Sequence, residues 1–517
     1  MKTDKLEITA EEAETLLARV KSAMTEDDFR IIKGLVDTHQ LLQQAVRDKA
    51  TSVQRLLRMI FGGKTEKTTK PPADRARQAD KKPVKGHGKI GAGLYPGGKT
   101  IPVAHTSLNH CDPCPACPDG KLYRQSIPGT VVRIIGGAPL TATIFAPEKL
   151  RCNICGQIFT AELPVEAGPK KYDETATATI AVLRYGSGFP LNRLAGLQAS
   201  LGIPLPASTA WDVLEHGANR IHPVFSELIR QAGQGEILHN DDTSMKVLEL
   251  IAENQVADDT ERTGIFTTGI VARQKHRTIA LFFTGRRHAG ENIAKVLANR
   301  QNGLDPPIQM CDALSRNFSE EFQTILANCL VHGRRNFVDL VEHFPEECNY
   351  VLETLAEVYH HEAIAVEKAM PPKERLLYHQ TESGPLMEQL NEWLHRQFNE
   401  RLVEPNSSLG KAINYMRKHW QELTLFLRVE KAPLDNNICE RALKIAIRHR
   451  NNSLFYKTEH GAYIGDLFMS LIHTCNLAKV NPLDYLTVLQ KNSAALFAQP
   501  SRWLPWNYQE NLASDVA

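Results

Sequence analysis

The 517-residue sequence contains no stretch of 18 or more uninterrupted apolar residues, the length at which a segment becomes a candidate membrane span. Its opening, Met1-Lys2-Thr3-Asp4, begins no secretory leader, so a cytoplasmic protein with no membrane partner is expected. No large charge of either sign is present, since 61 Lys and Arg offset 59 Asp and Glu for a net charge of +2. Ten cysteines in such a setting argue against a disulfide framework. What is present, 42% hydrophobic and 23% charged residues, fits a soluble globular protein. The chain is too long for one core, and three or four modules are expected.

Charge and cysteine are unevenly placed. Between Lys64 and Lys99, ten Lys or Arg stand against three acidic residues in a Pro- and Gly-rich segment with almost no large apolar residue. Residues 64–104 are therefore expected to be a flexible linker, either a solvated tether or an arm that tracks DNA phosphates. Before it, Thr9 with Glu12 and Thr25 with Asp28 are capping patterns for two helices. The second carries Ile32, Leu35, His39, Leu42, Val46, Lys49, Val53, Leu56 and Ile60 at heptad spacing up to Gly62-Gly63. Residues 1–63 thus form either a helical hairpin or a coiled-coil dimer contact.

Five cysteines cluster between Cys111 and Cys155. Cys114-x-x-Cys117 and Cys152-x-x-Cys155 are two knuckles separated by β-prone segments at 130–135 and 141–145. Four thiolates bind one structural Zn²⁺ tetrahedrally, so residues 105–170 are expected to be a zinc ribbon, with Cys111–Cys114 as the rival first pair. Residues 171–235 look helical. Within them 191–201, Gly202 and 208–216 have the grammar of a helix-turn-helix, shared by many helical domains that do not read DNA.

From Glu236 the pattern turns to strands at 237–250, 263–271 and 278–283, a helix at 290–299, a strand ending at Asp312 and another at 327–331. Three antiparallel strands followed by alternating helices and parallel strands is the ribonuclease-H-like order. It places Asp241 (in EILHNDDTSMKVL) and Asp312 (ending PPIQMCD) on neighbouring strands. Residues 344–430 are expected to be a helical insertion, with Trp393 and Trp420 as core anchors, before a helix bearing Glu440 (in PLDNNICERALKIAIRHRNN). Three such carboxylates suit a pair of Mg²⁺ or Mn²⁺ ions for phosphoryl transfer. Spacing alone does not single out this triple among 59 acidic residues.

The words around these residues do single it out. RLLRMIFGGKTEK (55–67), the two Cys pairs, FPLNRLAGLQASLGIPLPASTAWD (189–212), LHNDDTS, CLVHGRRNF (329–337), SLGKAINYMRKHW (408–420), PLDNNICERALK (433–444) and WLPWN (503–507) resemble, in order, the transposases of the bacterial insertion-sequence-66 family. The resemblance implies catalytic and magnesium-binding roles for Asp241, Asp312 and Glu440, with Asp241 bridging both ions. It also implies cleavage at transposon ends, strand transfer into target double-stranded DNA, a nucleoid-associated enzyme acting as a homo-oligomer, and small accessory transposition proteins. Asp242 stands where the family has Glu, which leaves open whether Asp241 or Asp242 faces the metal. Cys311 and Ala313 replace the family's usual neighbours of Asp312.

Cys329-x-x-His332 is similar to a signature near the active site of several transposase groups. It is either part of a further metal site with unknown partners or, with Arg334 and Arg335, a DNA contact through His332. Arg441, Lys444, Arg448 and Arg450 form a basic flank suited to a phosphate backbone, though Arg441 can equally pair with Asp435. The expected architecture is a multidomain α+β protein with a core at 236–343 and 431–485 and a tail at 486–517. Two other functions stay open, a non-catalytic zinc-ribbon DNA-binding protein and a ribonuclease-H-like nuclease without strand transfer.

Overall fold

The computed structural model describes residues 107–116, 120–123, 137–151, 158–255, 262–318 and 321–514, together with single helical positions at 29, 32, 33 and 36. The rest of the expected helical pair, the basic linker, and Cys117, Cys152 and Cys155 lie outside the described residues. The chain divides into two compact units, Met1–Ile134 and Ile135–Ala517.

In the first unit, residues 111–114 and 120–122 pair through the backbone. The N–H of Cys111 donates to Leu122 O, that of Leu122 to Asp112 O, and that of Cys114 to Gly120 O. The N–H of Ala116 lies 3.4 Å from Cys114 Sγ. Cys111 sits at a φ of 72° and is exposed.

The second unit begins with a small antiparallel pair, β1 (Lys149–Arg151) and β2 (Ile158–Thr160). The β-prone stretch at 141–145 forms no strand among the described residues, and the strands there stand at 149–151 and 158–160. Helices α1 (Glu174–Ala181), α2 (Leu191–Ser200) and α3 (Ala207–Ala232) follow. The second helix of the expected helix-turn-helix is thus a 26-residue rod. It buries Ala210, Leu214, Ala218, Ile221, Phe225 and Leu228 in the main core.

A five-stranded mixed sheet follows, in the order β5-β4-β3-β6-β7. Its strands are β3 (Ile237–Ser244), β4 (Phe266–Gln274), β5 (Arg277–Gly285), β6 (Ile308–Cys311) and β7 (Ile325–Asn328). β-Branched and aromatic residues dominate β4 and β5, as a doubly covered sheet requires. The first three strands are antiparallel, and β6 and β7 are parallel to β3. Strand β3 ends six residues before the expected limit. Val247 bridges to Tyr456 and the Leu248 N–H is taken by Tyr456 O, after which helix α4 (Leu248–Asn254) begins. Strand β7 likewise stops at Asn328, because the Leu330 N–H turns to Leu434 O and a helix starts there.

Helix α5 (Ala289–Leu297) joins β5 to β6, and α6 (Leu330–Val338) follows β7. A helical segment comes next: α7 (Pro345–Glu367), α8 (Pro372–Glu382), α9 (Gly384–Asn399), α10 (Ser408–Lys418) and α11 (Trp420–Leu423). Its core is continuous with Ile237, Ile308, Met310 and Ala327 of the sheet, while Trp393 and Trp420 are only half-buried against it. The chain then returns as α12 (Asn437–Ser453) across β3 and β4, followed by α13 (Glu459–Leu477), α14 (Pro482–Lys491), α15 (Ser493–Ala498) and α16 (Tyr508–Ser514).

Helix α13 seals the β5 edge. Asp466, Ser470 and Thr474, four residues apart and so on one helical face, accept the outward N–H groups of Thr284 (2.6 Å), Phe282 (3.0 Å) and Ala280 (3.1 Å). An open edge would leave these donors without partners. Burial pushes the Asp466 carboxyl up to about 7, against the opposing pull of its two Thr284 hydrogen bonds. Among the described residues no helix is long and apolar enough to cross a membrane.

His449 of α12 is buried between Tyr456 (centroids 4.5 Å apart) and Tyr185 (6.0 Å), and neither ring nitrogen has a hydrogen-bond partner among the described residues. Burial and Arg184 lower its pKa from 6.5 to about 3. The folded pKa lies below the unfolded one, so this contribution to stability is present above pH 6.5 and is lost as pH falls toward 3. His449→Phe keeps the stack and removes both buried nitrogens. Urea titrations are expected to show it more stable than wild type by about 1–3 kcal/mol at pH 8, with a larger gain at pH 5.

Candidate active site

Asp241 lies where β3 emerges from the core. In the β3–β6 ladder, Ile237 pairs with Ile308, Leu238 with Gln309 and His239 with Met310. Carrying that register on by two residues sets Asp312, just past the end of β6, beside Asp241. A buried amide network fixes both. Gln309 Nε2 donates to Asn240 Oδ1 (3.0 Å) and to Asn317 O (2.7 Å), and Asn240 Nδ2 donates to Asn317 O (2.9 Å). The side chain of Asn317 in turn donates to Asp312 Oδ1, which also faces the N–H of Leu314.

Asp242 faces the other way, as the alternation of a strand demands. Its side chain is 1% exposed. It accepts from Thr268 Oγ1 (2.6 Å) and from the N–H of Ala289 (3.0 Å), so it ties β4 and the start of α5 to β3. The carboxylate on the side of Asp312 and Glu440 is that of Asp241.

Glu440 arrives from α12. Gly269 pairs with Asp241 across the β3–β4 ladder. Its missing side chain lets the helix approach, because a Cβ there would lie 2.9 Å from Leu443 Cγ, and the Cys439 thiol reaches Gly269 O at 3.2 Å. Asn436, wholly buried at the N-cap of α12, sets the height of the helix. Its Nδ2 donates to Asn240 O (3.1 Å), its Oδ1 faces His239 Nδ1 (3.2 Å), and its N–H points at Cys329 Sγ (3.3 Å).

Asp241 senses the two other carboxylates. The Asp241 carboxyl is pushed up to about 7, first by burial and then by the charges of Asp312, Asp242 and Glu440, against a lowering hydrogen bond from its neighbour's N–H. Glu440 Oε1 is buried with no hydrogen-bond partner among the described residues and lies 3.9 Å from His332 Nε2. Cys329 Sγ, a His332 nitrogen and a Glu440 oxygen all lie within 4.8 Å of one another. Glu440 is therefore the neighbour that the Cys-x-x-His spacing leaves unnamed. Burial holds the Cys329 thiol up at about 11, so it is neutral at pH 7.

This donor set fits a hard divalent cation. Clustered, part-buried carboxylates with one orphaned oxygen repel one another, and either proton uptake or a bound positive charge relieves that repulsion.

Several neighbours escaped the sequence reading. Asn436, Asn317 and Gln309 are ordinary amides in sequence and gain their roles only through tertiary contacts. Tyr415 of α10 is pushed up to about 12 by burial and the nearby Asp312 charge, with the Ala313 backbone N–H against it. Its word SLGKAINYMRK was visible, but its proximity to Asp312 was not.

The expected DNA-contacting residues divide. Arg441, Lys444 and Arg448 are exposed along one face of α12, and Arg335 is exposed on α6 next to half-buried Arg334. Arg441 makes no ion pair with Asp435 closer than 4 Å but lowers the pKa that burial and Glu440 raise there. Arg450 instead ties α12 to the end of β3, donating to Thr243 Oγ1 (3.1 Å) and Ser244 Oγ (2.8 Å).

The profile of the family described as "Transposase IS66 family" matches residues 170–464, more than half of the chain. The chain belongs to the IS66 transposase family. That family is a nuclease and transposase class whose substrate is DNA. The chain is also similar to two uncharacterized proteins of Sinorhizobium fredii (strain NBRC 101917 / NGR234). It is 26% identical to y4hP over 395 residues, which span 71% of this chain and 68% of y4hP. It is 27% identical to y4jD over 427 residues, 78% of this chain and 79% of y4jD. The match to the family encloses Asp241, Asp312, His332 and Glu440.

Gly269→Val is expected to lift α12 from the sheet and to cost about 1–3 kcal/mol in urea unfolding. Adding Leu443→Ala should restore part of that loss. Additive losses in the double variant would show that the two positions do not share the contact.

Proposed function

We propose that this IS66-family chain is a DNA transposase that cuts DNA at transposon ends and joins the freed 3′ end to target DNA, at a site made by Asp241, Asp312 and Glu440. The carrying observation is geometric, since the β3–β6 register sets Asp312 beside Asp241, and Glu440 lies near enough for its charge to help raise the buried Asp241 carboxyl. The mixed sheet, three antiparallel strands followed by two parallel ones, supports assigning it a ribonuclease-H-like core. The helical segment inserted between β7 and α12 brings Tyr415 to the Asp312 side.

Asp241, Asp312 and Glu440 would hold Mg²⁺ or Mn²⁺, with His332 beside Glu440. When bound, the ions would supply electrophilic activation of a phosphodiester. The protein's own part is placement. Asn317 and the Leu314 N–H orient the Asp312 carboxylate, Asn436 and Gly269 set the depth of Glu440, and Asp242 keeps β3 aligned with β4. Arg441, Lys444 and Arg448 form a phosphate-facing row that holds the backbone without reading bases. A transposase of this kind must bring two ends together, so the active species is proposed to be an oligomer.

Purified protein is incubated with Mg²⁺ or Mn²⁺ and DNA carrying the element's terminal repeats. Asp241→Asn and Glu440→Gln are expected to lower cleavage by more than about a hundredfold while leaving DNA binding intact. Asp242→Asn should instead lower thermal stability. Cleavage by Asp241→Asn at the wild-type rate would remove the assignment, and cleavage without joined products would reduce the protein to a nuclease.

The basic row makes a separate expectation. Lys444→Ala and Arg448→Ala should each reduce the slope of log affinity against log salt by about 1, read by fluorescence anisotropy. Arg450→Ala should leave the slope unchanged and lower the melting temperature.

A further inference from the structure

Helix α12 ends on a strained, exposed residue. Leu454, directly after Ser453, sits at a φ of 70° and a ψ of −44° and is 61% exposed. Bulky side chains avoid that region because the Cβ crowds the backbone.

Two clamps hold Leu454 there. On the helix side, Arg184 Nη1 donates to Ser453 Oγ (2.8 Å), Asn452 Nδ2 to Gly188 O (3.0 Å) and the Leu454 N–H to Arg450 O (2.9 Å). On the strand side, the Tyr456 N–H donates to Lys246 O (2.9 Å), and Tyr456 O accepts from the Leu248 N–H (2.9 Å). Exposed leucines are common on protein surfaces. One braced from both sides in a conformation that opposes its own side chain is strain held in place by its surroundings, of the kind that gathers at functional sites.

Its place on the molecule says what it meets. At about 100° per residue, Lys444, Arg448 and Asn451 fall within about 80° of Glu440 around α12, and all three are exposed. The face that carries Glu440 to the carboxylate site thus runs on as a polar and basic track, and Leu454 stands at its far end. Along the helix, at 1.5 Å per residue, Leu454 is about 21 Å from Glu440, or about six base pairs of B-DNA. Lys246 and Lys457 are exposed beside the loop, while the Glu249 carboxylate accepts from the Glu459 N–H (2.8 Å). Positive charge beside one protruding apolar side chain suits a phosphate backbone and the base step behind it, and leucine is among the side chains that proteins insert there.

We propose that Leu454 is a wedge that enters duplex DNA lying along α12 and unstacks one base step about six base pairs from the phosphodiester at Asp241. The wedge rests on the DNA-processing reading of that site for its substrate. The basic track holds the backbone, and the braced loop keeps the leucine from folding back when it meets the stack.

Full-length protein in EDTA is mixed with a duplex carrying the element's terminal repeats. 2-Aminopurine is placed in turn at positions from about four to about eight base pairs from the cut. The wild type is expected to raise the fluorescence at one step by at least about threefold. Leu454→Met should keep that rise, and Leu454→Ala should abolish it without altering the slope of log affinity against log salt. Leu454→Gly should abolish it as well, yet melt no lower than wild type, because glycine takes the same φ without strain. A rise that survives Leu454→Ala, or no rise in wild-type protein that binds and cleaves the duplex, overturns the wedge alone. Leu454→Gly melting well below wild type would make the leucine an ordinary packing residue and also overturn it. A Leu454-dependent rise in a protein that cannot cleave with Mg²⁺ would sustain the wedge and count against the catalytic reading.

Discussion

The side chain of Asn436 is the junction on which the site depends. One buried amide grips the backbone of β3 at Asn240, fixes the tautomer of His239, and, through its own N–H, meets Cys329 at the start of α6. More than a hundred residues separate Cys329 from Asn436, and most of them form the helical segment. Without that joint the chain could return over the sheet at many heights. With it, Glu440 lies one helical turn further on, level with Asp241, because α12 has only one depth at which Gly269 and Leu443 fit together. A buried amide is costly unless all its groups are matched, and that cost is what makes the joint selective.

The same logic explains why the acidic cluster needs such heavy bracing. Like charges brought together out of water repel one another and favour protonation. Asp241 shows the consequence in its raised carboxyl. The amides of Asn240, Gln309 and Asn317 hold the two strand carboxylates in place despite that repulsion. The site is accordingly a place where folding stability is locally surrendered to chemistry, with the surrounding network making up the difference.

Much of this was legible beforehand, for identifiable reasons. Runs of β-branched and aromatic residues in TTGIVA and TIALFF and the β-prone QMC marked strands of the sheet, and the amphipathic pattern after Pro433 marked α12. The family words fixed which carboxylates to follow among many. Strand limits failed where tertiary hydrogen bonds intervened, as when Tyr456 captured Val247 and Leu248. The expected helix-turn-helix had correct helices, but local grammar cannot say that α3 runs on as a core spine. The role of Arg450 was hidden for a similar reason. A basic residue on a helix reads alike whether it faces a phosphate or, as here, the end of a strand. The zinc ligands beyond Cys114 lie outside the described residues, so that expectation rests on spacing alone.

Helix α13 has a bearing on assembly. By placing Asp466, Ser470 and Thr474 against successive amides of β5, it leaves that border of the sheet with no main-chain donors at those positions for a visiting strand. Any chain that docked on this side would have to do so through side chains and helix surfaces rather than through a shared backbone ladder.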